Sequence, residues 1–248
     1  MLAFVAAEAR EFSGLLRHAE RVVKLSWPLD FARKIWLSGH AAILVANGPG
    51  PKLAAEAVEI AKGRAELTGL VSTGFCGALD PALKLSDIFV ATEIVACSKQ
   101  NEPKPSRDRK GAPIETLASA RASVTEDRKY QTGALLSTDH VAVTAREKSE
   151  LHKTTGARAI EMEAAGVAAQ AQQNNLPFYC IRVITDTAAE SLPLDFNKFR
   201  DANGRFSRSK IIFAALRRPA LFPRLLSFDK RCKNAAQALG DFLADTRF

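Results

Sequence analysis

Short apolar runs recur along this chain, each followed by a turn and then by an amphipathic stretch. No other feature constrains the fold as strongly. The principal runs are Leu2–Ala6, Ala42–Ala46, Leu70–Thr73, Ile88–Val95 and Phe178–Ile184. They are too short for helices in a core, are rich in β-branched residues and do not alternate with polar ones, so they read as strands buried on both faces. Ala134–Leu136 and Ala157–Ile160 read as shorter strands. Between them Glu8–His18, Lys52–Lys62 and the alanine-rich Met162–Gln173 carry helical spacing. Strands alternating with helices predict an α/β fold. The expected architecture is a single domain over 1–248, with a central mixed, largely parallel twisted β-sheet flanked by helices.

Two stretches interrupt the rhythm. Lys99–Pro113 is polar and proline-rich and reads as an exposed loop. Ser191–Arg208 follows the strongest strand and is placed to act as a lid over whatever lies there. Residues 205–248 form a basic, apolar C-terminal extension expected to be helical. In it Ile211, Ile212, Phe213, Leu216, Leu221, Phe222, Leu225, Leu226 and Phe228 interleave with Arg205, Arg208, Lys210, Arg217, Arg218 and Arg224.

The net charge of +8 admits phosphate, anionic lipid or nucleic acid as partners. Lys104, Arg107, Arg109 and Lys110 cluster, but no basic stretch is interleaved with aromatics as in a nucleic-acid reader, so no nucleic-acid partner is expected. Cys76, Cys97, Cys180 and Cys232 form no C-x-x-C pair, which points to a reduced, cytoplasmic setting. His18, His40, His140 and His152 lack metal-ligand spacing, so no metal is expected. The apolar start Met1–Ala7 is too short for a signal peptide, and no run is long enough to cross a bilayer.

In open α/β sheets ligands bind beyond the carboxyl ends of the strands. Glu8, Arg10 and Glu11 follow the first strand, and Gly48 and Gly50 follow the second. Thr73, Gly74 and Gly77 follow the third, and Asp139, His140, Glu161, Met162 and Glu163 lie around the shorter strands. Thr185 and Asp186 follow the last strand. Taken singly, an acid there is often a helix cap and a glycine often only a turn.

Three motifs in order change that weighting. Thr73-Gly74-Phe75-Cys76-Gly77-Ala78-Leu79-Asp80-Pro81, Glu161-Met162-Glu163 and Arg182-Val183-Ile184-Thr185-Asp186 resemble the nucleoside phosphorylase and methylthioadenosine/S-adenosylhomocysteine nucleosidase superfamily over about residues 1 to 200. The resemblance implies cleavage of the N-glycosidic bond of an adenine nucleoside. By it, Glu163 would accept hydrogen bonds from the ribose hydroxyls, Met162 would pack on the sugar, and Asp186 would protonate N7 of the departing base. Such a division of labour suits an oxocarbenium-like transition state. Glu11 matches the water-activating glutamate of hydrolytic members. Arg10, Gly48 and Gly74 would instead hold phosphate in a phosphorolytic enzyme, with inorganic phosphate as co-substrate and no other cofactor. Phe75, Val141 and Thr185 would face the base. Phe75 stands where many members have serine and Ser72 where phosphorolytic members often have arginine, and both departures weaken a phosphate site.

Glu8-Ala9-Arg10, Gly48-Pro49-Gly50-Pro51, Lys148–Gly156 and the tail from Leu216 are similar to hopanoid-associated phosphorylases. That branch implies phosphorolytic release of adenine from adenosylhopane, a lipid-linked adenine nucleoside, with the tail in peripheral contact with the inner membrane surface. The alternatives are a hydrolytic methylthioadenosine/S-adenosylhomocysteine nucleosidase and a non-catalytic nucleoside-binding protein. The resemblance further implies a homo-oligomer.

Overall fold

The computed structural model describes residues 1–96, 130–201, 204–207, 210, 217 and 221–248. The expected loop Lys99–Pro113, its basic cluster, Cys97, and Arg208, Ile211–Leu216 and Arg218 of the C-terminal extension lie outside these residues.

The strands are β1 (Leu2–Ala6), β2 (Arg21–Lys24), β3 (Phe31–Leu37), β4 (His40–Ala46), β5 (Gly69–Ala78), β6 (Ile88–Ala96), β7 (Gln131–Ser137), β8 (Ala159–Glu161) and β9 (Phe178–Asp186). The helices are α1 (Ser13–His18), α2 (Pro51–Lys62), α3 (Ala145–Thr155), α4 (Ala164–Gln173) and α5 (Phe222–Ala244). The strands form one sheet in the order β2-β3-β4-β1-β5-β8-β7-β6-β9, and β9 pairs back onto β5. Strands β5 to β9 thereby close on themselves, while β2, β3 and β4 extend the sheet from β1. Pairings β1–β4, β1–β5, β5–β9, β6–β7 and β7–β8 are parallel, and the others antiparallel. This is the α/β single-domain architecture expected from the sequence.

Burial on both faces explains the unbroken apolar runs. Ala3, Val5, Ile43, Val45 and Ile184 point to one face, where Ala54, Ala57 and Ala61 of α2 and Val167 and Ala171 of α4 cover them. Phe4, Ala6, Leu44, Ala46, Ile181 and Val183 point to the other, under Leu15 of α1 and Ala235, Leu239 and Phe242 of α5. The period-2 geometry of a strand sends neighbours to opposite faces, so both must be apolar.

Several boundaries differ from the expectation. Glu8–His18 is not one helix: Ala9–Phe12 is a 3₁₀ turn closed by a capping box between Glu8 and Glu11, and α1 begins only at Ser13. The Glu11 side chain is spent on backbone amides there, which favours a tight turn over a regular first helical turn. Strands β2 and β3 were not expected, because polar residues dilute their apolar pattern (Arg21, Lys24, Arg33, Lys34) and β2 is mostly exposed. Strand β8 runs to Glu161, and α4 starts at Ala164 rather than Met162. Helix α3, capped by Thr144, occupies a segment that was not assigned as helix.

Candidate active site

Strand β5 ends on two glycines that make room for two carboxylates. A Cβ at Gly74, whose φ is +131°, would fall 2.5 Å from Glu11 Oε1. One at Gly77 would fall 2.8 Å from Asp186 Oδ2. The register of β5 with β9 slips between Cys76 and Gly77, which sets Asp186 rather than Thr185 opposite Gly77. A bulge of this kind re-aims a side chain at the end of a strand.

Glu11 is buried, and both its oxygens accept backbone hydrogen bonds. The Phe75 amide donates to Oε1 at 2.8 Å and the Glu8 amide to Oε2 at 2.7 Å. Burial raises its carboxyl above the usual range, and those two amides and the nearby Arg182 only partly oppose this.

Arg182, on β9, is fully buried and organises the acids around it. Its Nη2 pairs with Glu161 and donates to Ser72 Oγ at 2.7 Å. Its Nη1 donates to the Thr73 carbonyl at 2.9 Å and lies 3.4 Å from Glu163 Oε2. Burial opposes its charge, but Glu161, Cys180, Glu163 and Glu11 outweigh it and raise its pKa. Glu161 in turn accepts from the amides of Glu163 (2.8 Å) and Ala164 (2.9 and 3.1 Å), capping α4. Sequence reasoning placed Glu161 at a strand end without giving it this role.

Glu163 therefore sits as the N-cap of α4 with its side chain turned inward. Its Oε1 accepts the Gly50 amide at 3.0 Å. Burial and the neighbouring Glu161 push its carboxyl up to about 8, against the pull of Arg182. Met162 is buried beside it.

Asp186 is also buried. Thr185 Oγ1 lies 3.0 Å from its Oδ1 and 3.3 Å from the Cys76 carbonyl. Its Oδ2 pairs with Lys148 of α3, a residue that sequence reasoning did not single out. Burial raises the Asp186 carboxyl, and the Lys148 ammonium opposes the rise. Lys148 entered the sequence reading only as the first residue of the Lys148–Gly156 stretch, and its polar neighbours Glu147 and Ser149 give no sign of burial.

The groups expected to bind phosphate have protein partners in this structure. Arg10 is exposed. Its Nε pairs with Glu8 at 2.7 Å, and its guanidinium lies over the Phe75 ring. The Gly48 amide donates to the Ala7 carbonyl at 3.0 Å. Gly74 faces the Glu11 carboxylate, which would repel an anion. Of the expected base contacts, Phe75 packs against the apolar cluster beneath α5. Val141 is half-buried. Its amide donates to Asn197 Oδ1 (2.8 Å), and its carbonyl accepts from Asn197 Nδ2 (2.9 Å).

That clamp belongs to the expected lid. Phe196–Phe199 is a 3₁₀ turn, and Arg200 bridges to Phe206. Arg200 donates to Asp139 at 2.6 and 2.8 Å, and Arg205 to Asn47 at 2.9 Å. Between this loop and the Gly50 turn lies a cavity of about 850 Å³, with Lys52, Glu56, Asp139, His140, Arg200 and Arg205 in its lining.

Residues 15–217 match the phosphorylase superfamily. The 5'-methylthioadenosine/S-adenosylhomocysteine nucleosidase of Bacillus cytotoxicus is 27% identical over 187 residues, which are 71% of this chain and 81% of that protein. The nucleosidase of the same description from Colwellia psychrerythraea is 28% identical over 180 residues, 66% and 74% of the two chains. Among solved structures, the nucleosidase of S. pneumoniae with the transition-state inhibitor MT-ImmA has a TM-score of 0.74 at 18% identity, covering 98% of this chain and 96% of that one. The Neisseria meningitidis nucleosidase in complex with methylthio-immucillin-A has a TM-score of 0.73 at 23% identity, with the same coverages. With the superfamily match spanning the three motifs, and Glu161, Glu163 and Asp186 within them, the chain belongs to the phosphorylase superfamily, as an enzyme that cleaves N-glycosidic bonds.

Proposed function

We propose that the chain hydrolyses the N-glycosidic bond of an adenine nucleoside of the methylthioadenosine or S-adenosylhomocysteine kind. The observation that carries this reading is Glu11. It is a buried carboxylate fixed by two backbone amides, and burial raises its affinity for a proton, the direction that a general base requires.

In this mechanism Glu163 accepts hydrogen bonds from the ribose hydroxyls, and Met162 packs on the sugar. Glu11 takes a proton from water as its oxygen attacks C1' of the sugar. The C1'–N9 bond breaks with its electrons going to the base, and Asp186 delivers a proton to N7. The Glu163 oxygens that accept from the ribose hydroxyls favour the oxocarbenium-like transition state. The engaged Arg10 and Gly48 support water over phosphate as the nucleophile. The charged lining of the cavity beside Gly50 suits the charged amino-acid tail of S-adenosylhomocysteine better than a hydrocarbon 5'-substituent.

The test is adenine release from methylthioadenosine, S-adenosylhomocysteine and adenosine, with and without phosphate. Release that does not depend on phosphate supports hydrolysis, and a strict requirement for phosphate refutes it. The second reading is phosphorolysis of adenosylhopane, perhydrophobic at its far end, by an oligomer resting on a membrane surface. One observation favours it: Phe222 and Leu226 of α5 are exposed, Leu226 by 68%. Faster phosphate-dependent release of adenine from adenosylhopane than from methylthioadenosine would establish it. No helix among the described residues is long and apolar enough to cross a membrane.

A further inference from the structure

Lys148 is a fully buried cation that the mechanism above leaves unused. Its side chain has no exposed surface, and Nζ has three acceptors: Asp186 Oδ2, the Thr187 carbonyl at 2.8 Å and the Glu190 carbonyl at 3.0 Å. An ammonium has three N–H groups, so the cage satisfies the charged form completely. If the proton on the Asp186 side moves across, the neutral amine still donates to both carbonyls, and its lone pair accepts from the new O–H of Asp186. Both forms keep all three contacts, so the proton can cross without breaking any other hydrogen bond.

We propose that Lys148 is the proton reservoir for Asp186, a positioning residue that holds on its ammonium the proton which Asp186 passes to N7. This rests on the reading of Asp186 as the acid. The Lys148 N–H bond breaks as the Asp186 O–H bond forms. The O–H bond then breaks as N7–H forms and the C1'–N9 pair departs with the base. The water proton taken by Glu11 leaves to solvent, and solvent returns one to Lys148, so each turnover consumes one water and no net proton.

The surroundings reserve Lys148 for this partner. Glu190, whose carbonyl holds Nζ, has its own carboxylate gripped by Arg231 of α5 at 2.7 and 2.8 Å. Cys76 of β5 and Cys232 of α5 also face Asp186, and both thiols are pushed up by burial, so they stay neutral. The Glu147 side chain on α3 is taken by His140 and the Val143 amide. Asp186 is therefore the carboxylate with which Lys148 exchanges a proton.

The test compares wild type, Lys148→Met and Lys148→Arg in adenine release from methylthioadenosine, with phosphate supplied, from about pH 5.5 to about pH 9.5. In Lys148→Met the Asp186 proton must come from solvent, so kcat should fall about tenfold per unit once the pH passes above the carboxyl's own range, where the wild type stays level, with KM within about threefold. Lys148→Arg restores the charge but holds its proton too tightly to give it up, so it should resemble the Met variant. Rescue by Arg, or an unchanged kcat and pH profile in the Met variant, would overturn the proposal. Should neither variant fold, the wild type decides. A kcat that holds level to about pH 8 supports the reservoir, and one that falls about tenfold per unit from any lower pH puts the proton on Asp186 alone and overturns it. A wild type that releases no adenine from any nucleoside refutes the assigned reaction instead.

Discussion

The Gly50 amide donates to Glu163 Oε1 at 3.0 Å, tying the turn after β4 to the start of α4 across 113 residues. Gly50 has φ +106°, and a Cβ there would lie 3.2 Å from both Arg200 Nη2 and Asp139 Oδ1. A side chain would strain the turn and press on the pair that anchors the loop. Gly50→Ala should therefore raise KM about tenfold for a nucleoside substrate, with a smaller fall in kcat. Steady-state kinetics read the split, and an unchanged KM would detach Glu163 from this turn.

Glu163→Gln replaces one of the two ribose-accepting oxygens with an amide donor while keeping the shape, and should both raise KM and lower kcat. It also has a consequence for stability. The Glu163 carboxyl rises on folding to about 8, chiefly through burial. The folded state then holds a proton that the unfolded state releases between about pH 4.5 and about pH 8. Stability contributed by this group is full below the lower limit and is lost as pH rises through the upper one. Thermal unfolding of the wild type should fall across that window, and the fall should shrink in Glu163→Gln. Parallel profiles for the two proteins would refute the assignment.

Glu11→Gln keeps one oxygen to accept the Phe75 amide but cannot take a proton from water. Its kcat should fall about 10²- to 10⁴-fold, the usual range for a lost general base. Asp186→Asn should lower kcat comparably while substrate still binds. Isothermal titration with adenine would show retained affinity in Glu11→Gln, and full turnover in either variant would remove its assigned role.

The three motifs that could be read in the sequence are those whose residue types the site's geometry requires. Gly74 and Gly77 are glycines because carboxylates occupy their Cβ positions, and Glu163 and Asp186 end elements that the apolar pattern delimits. The sheet's inner strands were legible for the same reason, since both of their faces are apolar. What was not legible depends on long-range partners. Lys148 has no local mark of burial, because its partners Asp186 and Glu190 lie 38 and 42 residues away. Arg10 reads as a phosphate ligand beside Glu11, yet the 3₁₀ turn sends it outward to Glu8. Strand β2 is too exposed, and β3 too interrupted by Arg33 and Lys34, to show a strand's pattern.

The packing beneath the site makes a prediction in which two effects oppose each other. Gly240 lies inside α5, where alanine is favoured over glycine by about 1 kcal/mol in a helix interior. At this position, however, α5 crosses α1 with backbones in contact. A Cβ on Gly240 would fall 2.1 Å from the Gly14 carbonyl carbon and 2.2 Å from the Leu15 amide nitrogen. Backbone atoms cannot rotate away as a side-chain tip can, so the helices must separate. That separation would also open the contacts of Ala235, Leu239 and Phe242 with Phe4 and Leu15. Overpacking of this kind costs about 1–3 kcal/mol and more where backbone must move, so it outweighs the propensity gain. Gly240→Ala should lower Tm by several degrees, about 2–4 °C per kcal/mol at this size, while the exposed Lys233→Ala leaves it nearly unchanged. A Tm that rises in Gly240→Ala would mean that helix propensity decides at this crossing, and that α5 is not seated on α1 through its glycine.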